Sequence, residues 1–139
     1  NVKLWEEQVF DHSCCVNYRI LKDQLSFEPY LRSLNDRQRI IFTKFRCGNN
    51  KLPVNVNKFT GTDVDKLCTI CEAGDIGDEF HYIMSCSAFK DERARYLDRP
   101  FYEKPNTLKL KILFQTNNLV ILKNLIKFIS VILSKVNPK

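Results

Sequence analysis

The chain is 139 residues long, 44% hydrophobic and 12% aromatic, with only four glycines and five prolines and a formal net charge of +6. This length predicts one domain, or one with a small satellite, and the composition excludes a disordered or low-complexity chain. No apolar run opens the sequence, and its most apolar stretch, residues 119–133, is interrupted by Lys123 and Lys127, so neither a secretory leader nor a membrane span is expected.

Apolar residues at helical spacing predict helix in the first third of the chain: Leu4, Trp5, Val9 and Phe10, then Tyr18, Leu21 and Leu25. Ser26 is placed to cap a further helix, with Pro29 tolerated in its first turn and Tyr30, Leu31 and Leu34 facing inward. Asn35 or Asp36 starts the next helix, which runs to Arg46 with Ile41, Phe42 and Phe45 on one face and Gly48 as its stop. Residues 47–67 read as irregular, punctuated by Asn49, Asn50, Pro53, Asn55, Asn57 and Gly61, and the alternation of Leu52, Val54 and Val56 points to a short extended stretch. After the loop 72–78, Glu79 to Cys86 is expected to make one or two helical turns. Ser87 then caps a helix carrying Phe89, Tyr96 and Leu97, with Pro100 beyond its end. Asn106 or Thr107 caps a helix through Phe114, residues 115–118 turn the chain, and Leu119 to Val136 forms a long helix with Leu119, Leu122, Leu125, Ile126, Ile129, Ile132 and Leu133 on its face.

The chemistry is concentrated in Cys68, Cys71, His81 and Cys86, spaced Cys-x2-Cys-x9-His-x4-Cys. Structural zinc takes a closed tetrahedron of thiolate and imidazole, and a Cys-x2-Cys turn presents two thiolates to one ion. The expected cofactor is one structural Zn2+, and the competing reading is two buried thiols beside a surface histidine. The fold class expected is mainly α, a helical domain with a small inserted Cys-Cys-His-Cys zinc module. A helical part with a basic helix occupies residues 1–58, the zinc module and its following helix 59–100, and a helical hairpin 101–139, together one domain. Of the other cysteines, adjacent Cys14 and Cys15 suit neither a shared bridge nor, with His12, a second tetrahedral site. They and Cys47 read as plain thiols in a reducing, intracellular compartment of nucleus or cytoplasm. Asp75, Asp78 and Glu79 read as solvated loop acids rather than catalytic groups.

Charge is segregated. Residues 32–58 carry Arg32, Arg37, Arg39, Lys44, Arg46, Lys51 and Lys58 against the single acid Asp36. Residues 101–139 carry seven lysines against Glu103, whereas the cysteine-bearing centre is acidic. Arg37, Arg39, Lys44 and Arg46 share one predicted helix, with Lys51 and Lys58 extending the patch and Lys104, Lys109 and Lys111 available to join it. Such bases neutralise phosphates, and the expected partner is an RNA or DNA backbone.

The stretch Thr43 to Pro53, the pair Cys68 and Cys71, the phrase Asp78-Glu79-Phe80-His81-Tyr82-Ile83-Met84-Ser85-Cys86, then Phe89 and Arg93-Ala94-Arg95-Tyr96-Leu97, with Phe27-Glu28-Pro29-Tyr30-Leu31 upstream, resemble the C-terminal zinc-binding region of LINE-type (non-LTR) retrotransposon reverse transcriptase polyproteins. The resemblance covers roughly residues 4–100 and implies the same four zinc ligands downstream of a polymerase. No Tyr-x-Asp-Asp polymerase motif, RNase H acid set or phosphate-binding glycine loop is present. A non-catalytic, zinc-stabilised nucleic-acid-binding module is therefore expected. The alternative is a structural module that docks against a polymerase domain or another subunit, with 119–136 as its apolar face, or a decayed fragment of such a protein.

Overall fold

The computed structural model describes residues 30–137 apart from 58 and 60. The helices expected before residue 30, the His12, Cys14 and Cys15 group, and Lys58 lie outside the described residues. Seven α-helices are described: α1 (Tyr30–Ser33), α2 (Asp36–Arg46), α3 (Pro53–Val56), α4 (Lys90–Tyr96), α5 (Arg99–Tyr102), α6 (Thr107–Phe114) and α7 (Leu119–Val136). Short 3-10 turns at Val64–Lys66 and Ser87–Phe89 and a π-helical turn at His81–Ser85 link them. Among the described residues there is no strand, only a single antiparallel bridge between Leu67 and Ile76. The mainly helical class read from the sequence is the class observed.

Local chemistry sets the helix ends. Asn35 and Gln38 form a capping box at the start of α2, Asn35 Oδ1 accepting from Gln38 N at 2.9 Å and Gln38 Oε1 from Asn35 N at 3.1 Å. Gly48, at φ 73°, closes the other end. Asn49 N donates to Lys44 O at 2.9 Å and Gly48 N to Phe45 O at 3.3 Å, the paired bonds of a Schellman turn that needs a left-handed residue. Asn106 and Asn118 cap α6 and α7 through their side-chain oxygens.

α7 is the axis of the core. Leu122, Leu125, Ile126, Phe128, Ile129 and Ile132 are buried along it. Leu119, expected on that face, is exposed, and Phe128, not assigned to it, is fully buried. The apolar stripe is thus rotated toward Phe128. Its ring meets Phe89 edge-on at 6.4 Å and stacks with Tyr96 at 6.3 Å, while Phe114 of α6 stacks on Phe42 and Phe45 of α2 at 5.4 and 6.0 Å. One apolar cluster joins these rings to Leu52, Tyr82, Cys68 and Cys86.

Two local expectations are corrected. The extended stretch at Leu52, Val54 and Val56 is instead the helical turn α3, because Pro53 occupies its first position with φ already set for helix. The helix expected from Ser87 begins at Lys90 after a 3-10 turn and stops at Tyr96, leaving Leu97 extended. Pro100 lies beyond that helix, as expected, in the first turn of a separate helix, α5. Among the described residues, no helix is long and apolar enough to cross a membrane.

Candidate metal centre

Residues 66–77 fold back on themselves as a short hairpin. Leu67 and Ile76 pair across the loop, Cys68 N donating to Asp75 O and Gly77 N to Lys66 O, both at 2.8 Å. Glu72 (φ 54°) and Gly74 (φ 80°) turn the chain between them. Gly77 is there for want of space: a Cβ would lie 2.9 Å from Pro53 Cγ and 3.1 Å from the Tyr82 hydroxyl.

This hairpin supplies Cys68 and Cys71, and the π-helical turn supplies His81 and Cys86. Cys86 N donates to His81 O at 2.7 Å, so the two ligands sit at either end of one hydrogen-bonded ring. Cys68 Sγ lies 3.9 Å from Cys86 Sγ, and Cys71 Sγ 3.4 Å from His81 Nε2. All four donor atoms lie within 4.8 Å of one another. With metal–sulfur bonds of about 2.3 Å and metal–nitrogen bonds of about 2.0 Å, a tetrahedral site has S···S edges of about 3.8 Å and S···N edges of about 3.5 Å. The two closest edges already match, and 3.9 Å is far beyond a disulfide of about 2.05 Å. Cys68, His81 and Cys86 are buried and Cys71 is half-buried. Residues and spacing therefore fit a closed, four-donor metal site.

The surroundings prepare each donor. Burial pushes the Cys68 thiol up, but the amides of Cys71 and Ile70, which point at its sulfur from 3.5 and 3.4 Å, and the Tyr82 hydroxyl outweigh it and hold this thiol below its ordinary value. That hydroxyl is buried, has no partner at full hydrogen-bond geometry, and acts electrostatically on Cys68. Burial pushes the Cys86 thiol up to about 12, and the neighbouring thiols add to it. Burial lowers His81, against the opposing charge of Asp75, which favours the neutral imidazole a metal requires. With Nε2 turned to Cys71, Nδ1 faces Ser85 Oγ at 3.4 Å and Asp75 Oδ2 at 3.8 Å, the outer partners that fix the ring of a ligating histidine.

Sequence reading missed several supports. Glu79 is not a solvated acid: it is 1% exposed, and its Oε1 accepts from Asn55 Nδ2 at 2.9 Å and Asn50 Nδ2 at 3.3 Å. This ties the 49–57 segment to the metal turn. Asp78 caps that turn, Oδ1 accepting from His81 N at 2.9 Å. Arg93, 5% exposed, reaches back to the turn's carbonyls. Separations of 24 or more residues hide the Glu79 contacts from any local pattern, whereas Asp78 three residues before His81 is a legible capping signal.

The basic residues divide. Arg37, Lys44 and Lys51 are exposed, and half-buried Arg39 pairs with Asp36. Arg46 is 2% exposed and lies over the Phe42 ring, so it is a core cation and not part of a phosphate-facing surface. Lys44 and Lys51 line one groove of about 330 Å³ with Ile40, Ile41, Leu133 and Asn137.

No protein-family model, curated protein or solved structure matches this chain.

Proposed function

We propose that the chain is a non-catalytic module that binds the backbone of RNA or DNA and is held by one structural zinc ion at Cys68, Cys71, His81 and Cys86. The donor set supports zinc: three thiolates and an imidazole suit a borderline-soft ion, and four protein donors leave no open position for a substrate. The observation that carries the nucleic-acid reading is the groove shared by Lys44 and Lys51, neither of which has an acidic partner among the described residues. Ammonium groups left without carboxylates attract phosphates and release their counterions. The aromatic ring at the groove, Phe45, is fully buried, which favours backbone contact over base stacking. The order of basic helix, Cys-Cys-His-Cys segment and arginine-bearing helix supports placing the chain with the post-polymerase region of LINE-type elements, which would give it a polymerase domain as neighbour.

Metal content by mass spectrometry, on protein purified without added metal, is expected to give about one zinc per chain, lost in Cys86→Ser. If Arg37, Lys44 and Lys51 engage about three phosphates, log affinity falls with log salt at a slope of roughly −2 to −3. A slope near zero removes the phosphate reading.

The exposed apolar residues Leu108, Ile112 and Val120 on α6 and α7 favour a second reading, a protein-interaction module. Self-association that Ile112→Glu abolishes, without any salt-dependent nucleic-acid binding, would support it.

A further inference from the structure

Arg93 is a buried cation whose hydrogen bonds reach the segment that carries His81 and Cys86. It stands in α4, and no carboxylate lies within ion-pair distance of it among the described residues. Its Nε donates to Ile83 O at 2.7 Å, and its Nη2 to Tyr82 O at 3.1 Å and Cys86 O at 3.0 Å. These carbonyls belong to the turn that carries His81 and Cys86, whose register is i to i+5 in place of the α-helical i to i+4. The guanidinium also lies 6.0 Å from the Phe128 ring centroid. One side chain thus joins the metal turn to the central helix.

Neutral carbonyls satisfy the donors of a guanidinium but leave its charge uncompensated, and a buried charge without a counter-charge is costly. A divalent ion bound by three thiolates and a neutral imidazole carries one net negative charge. Among the groups able to carry negative charge, Cys86 acts most strongly on Arg93. The cation and the candidate centre are therefore complementary, each supplying the charge the other lacks.

We propose that Arg93 is the positioning and charge-balancing residue of the metal centre. It holds the His81–Cys86 turn in its wide register through three carbonyls and neutralises the metal–thiolate charge. Metal binding and the docking of α4 on α7 are then one coupled event. This rests on the metal reading above. It adds that a residue seven positions beyond Cys86, the last of the four ligands in the chain, governs affinity.

The test is Co2+ titration of the full chain, since tetrahedral Co2+ reports thiolate coordination through its visible and charge-transfer absorption. Four proteins are compared: the parent, Arg93→Met, Cys71→His and the double variant. Cys71 is half-buried, which leaves room for the imidazole, and the Cys71→His centre carries no net charge. Arg93→Met is expected to weaken Co2+ binding about 10- to 100-fold in the parent and by a clearly smaller factor in the Cys71→His background. Arg93→Lys, which keeps the charge without the planar fork, should recover part of the loss. Equal losses in both backgrounds would overturn charge balancing and leave a backbone brace. Unchanged Co2+ affinity with a lower melting temperature would overturn the proposal altogether. If Arg93→Met does not fold, Arg93→Gln, neutral but still a donor to one carbonyl, is read by the same comparison. A parent protein with no tetrahedral cobalt spectrum would reject the metal reading itself, an outcome distinct from failure of the Arg93 effect.

Discussion

Two regions of this molecule are ordered by different physics. Around α7, rings and branched side chains interlock: Phe42, Phe45, Leu125, Phe128, Ile129 and Ile132 are fully buried. In residues 61–78, Val64 and Ile76 are exposed, and order comes from backbone bonds, an Asp65 bond to Thr62 and the approach of ligand atoms. A hydrophobic core stabilises in proportion to the area it removes from water, whereas a polar hairpin of this length needs a fixed point. The comparison predicts that the hairpin depends on metal far more than the helices do. Structural zinc contributes roughly 10–16 kcal/mol of apparent free energy in small modules. Chelation, or Cys86→Ser, is expected to strip hydrogen-exchange protection from the amides of Cys68 and Gly77 while those of Ile129 and Ile132 remain protected. Simultaneous loss in both regions would show one cooperative unit instead.

The next effect sharpens the boundary between the regions. Phe128 belongs to the core, yet it touches Phe89, Tyr96 and the Arg93 guanidinium beside the metal turn. Phe128→Ala should cost about 3–5 kcal/mol in urea unfolding. It should also weaken metal binding if the boundary transmits strain. A loss of stability with intact metal affinity would mean that Arg93 holds its place without the ring. A smaller change is expected at Glu79, which joins Asn50 and Asn55 to the segment. Glu79→Ala takes one acceptor from each of two amides, leaving Asn55 Nδ2 with Asn50 Oδ1 and Asn50 Nδ2 with Phe45 O, and should cost about 1 kcal/mol, read as a shift in the urea midpoint. An unchanged midpoint would mean that water replaces the carboxylate at no cost.

The contrast also explains what was legible in the sequence. Helices announce themselves by period and cap: the start at Asn35 or Asp36, the stop at Gly48 and the bounds of the 119–136 helix lie where the pattern places them, because a helix is a local object. The four candidate donors are legible for a related reason, since each pair lies within five residues and the chemistry admits few residue types. What escaped is non-local. Arg46 is buried over the Phe42 ring by packing that helical spacing does not reveal, and Glu79 is buried where Asn50 and Asn55, 24 or more residues earlier, reach its carboxylate. Leu119 matched the stripe by spacing, but it opens the helix just after the Asn118 cap, before α7 enters the core.

The smallest effect near neutral pH is also the most diagnostic, because two of the ligands, Cys86 and His81, limit stability from opposite sides, while Cys68, held below its ordinary value, adds nothing to the alkaline decline. In metal-free protein, burial raises the Cys86 thiol to about 12, above its ordinary 9.0. A group raised on folding contributes stability that is present below its unfolded value and lost as pH climbs toward the folded one. Stability should therefore decline from about pH 9 toward 12. His81 is lowered below 6.5 by burial, so its contribution is present above that value and lost as pH falls through the folded one. Metal-free protein is thus expected to melt highest between these limits. Bound metal takes the place of the Cys86 proton, so the alkaline decline should vanish. The acid limb should steepen, because three thiols and an imidazole recover protons when the ion leaves. Melting temperatures across pH, with chelator and with added Zn2+, separate the two profiles. Without an alkaline decline in chelator, Cys86 is not buried until metal binds, and the turn that presents it would be a product of the ion rather than of the chain.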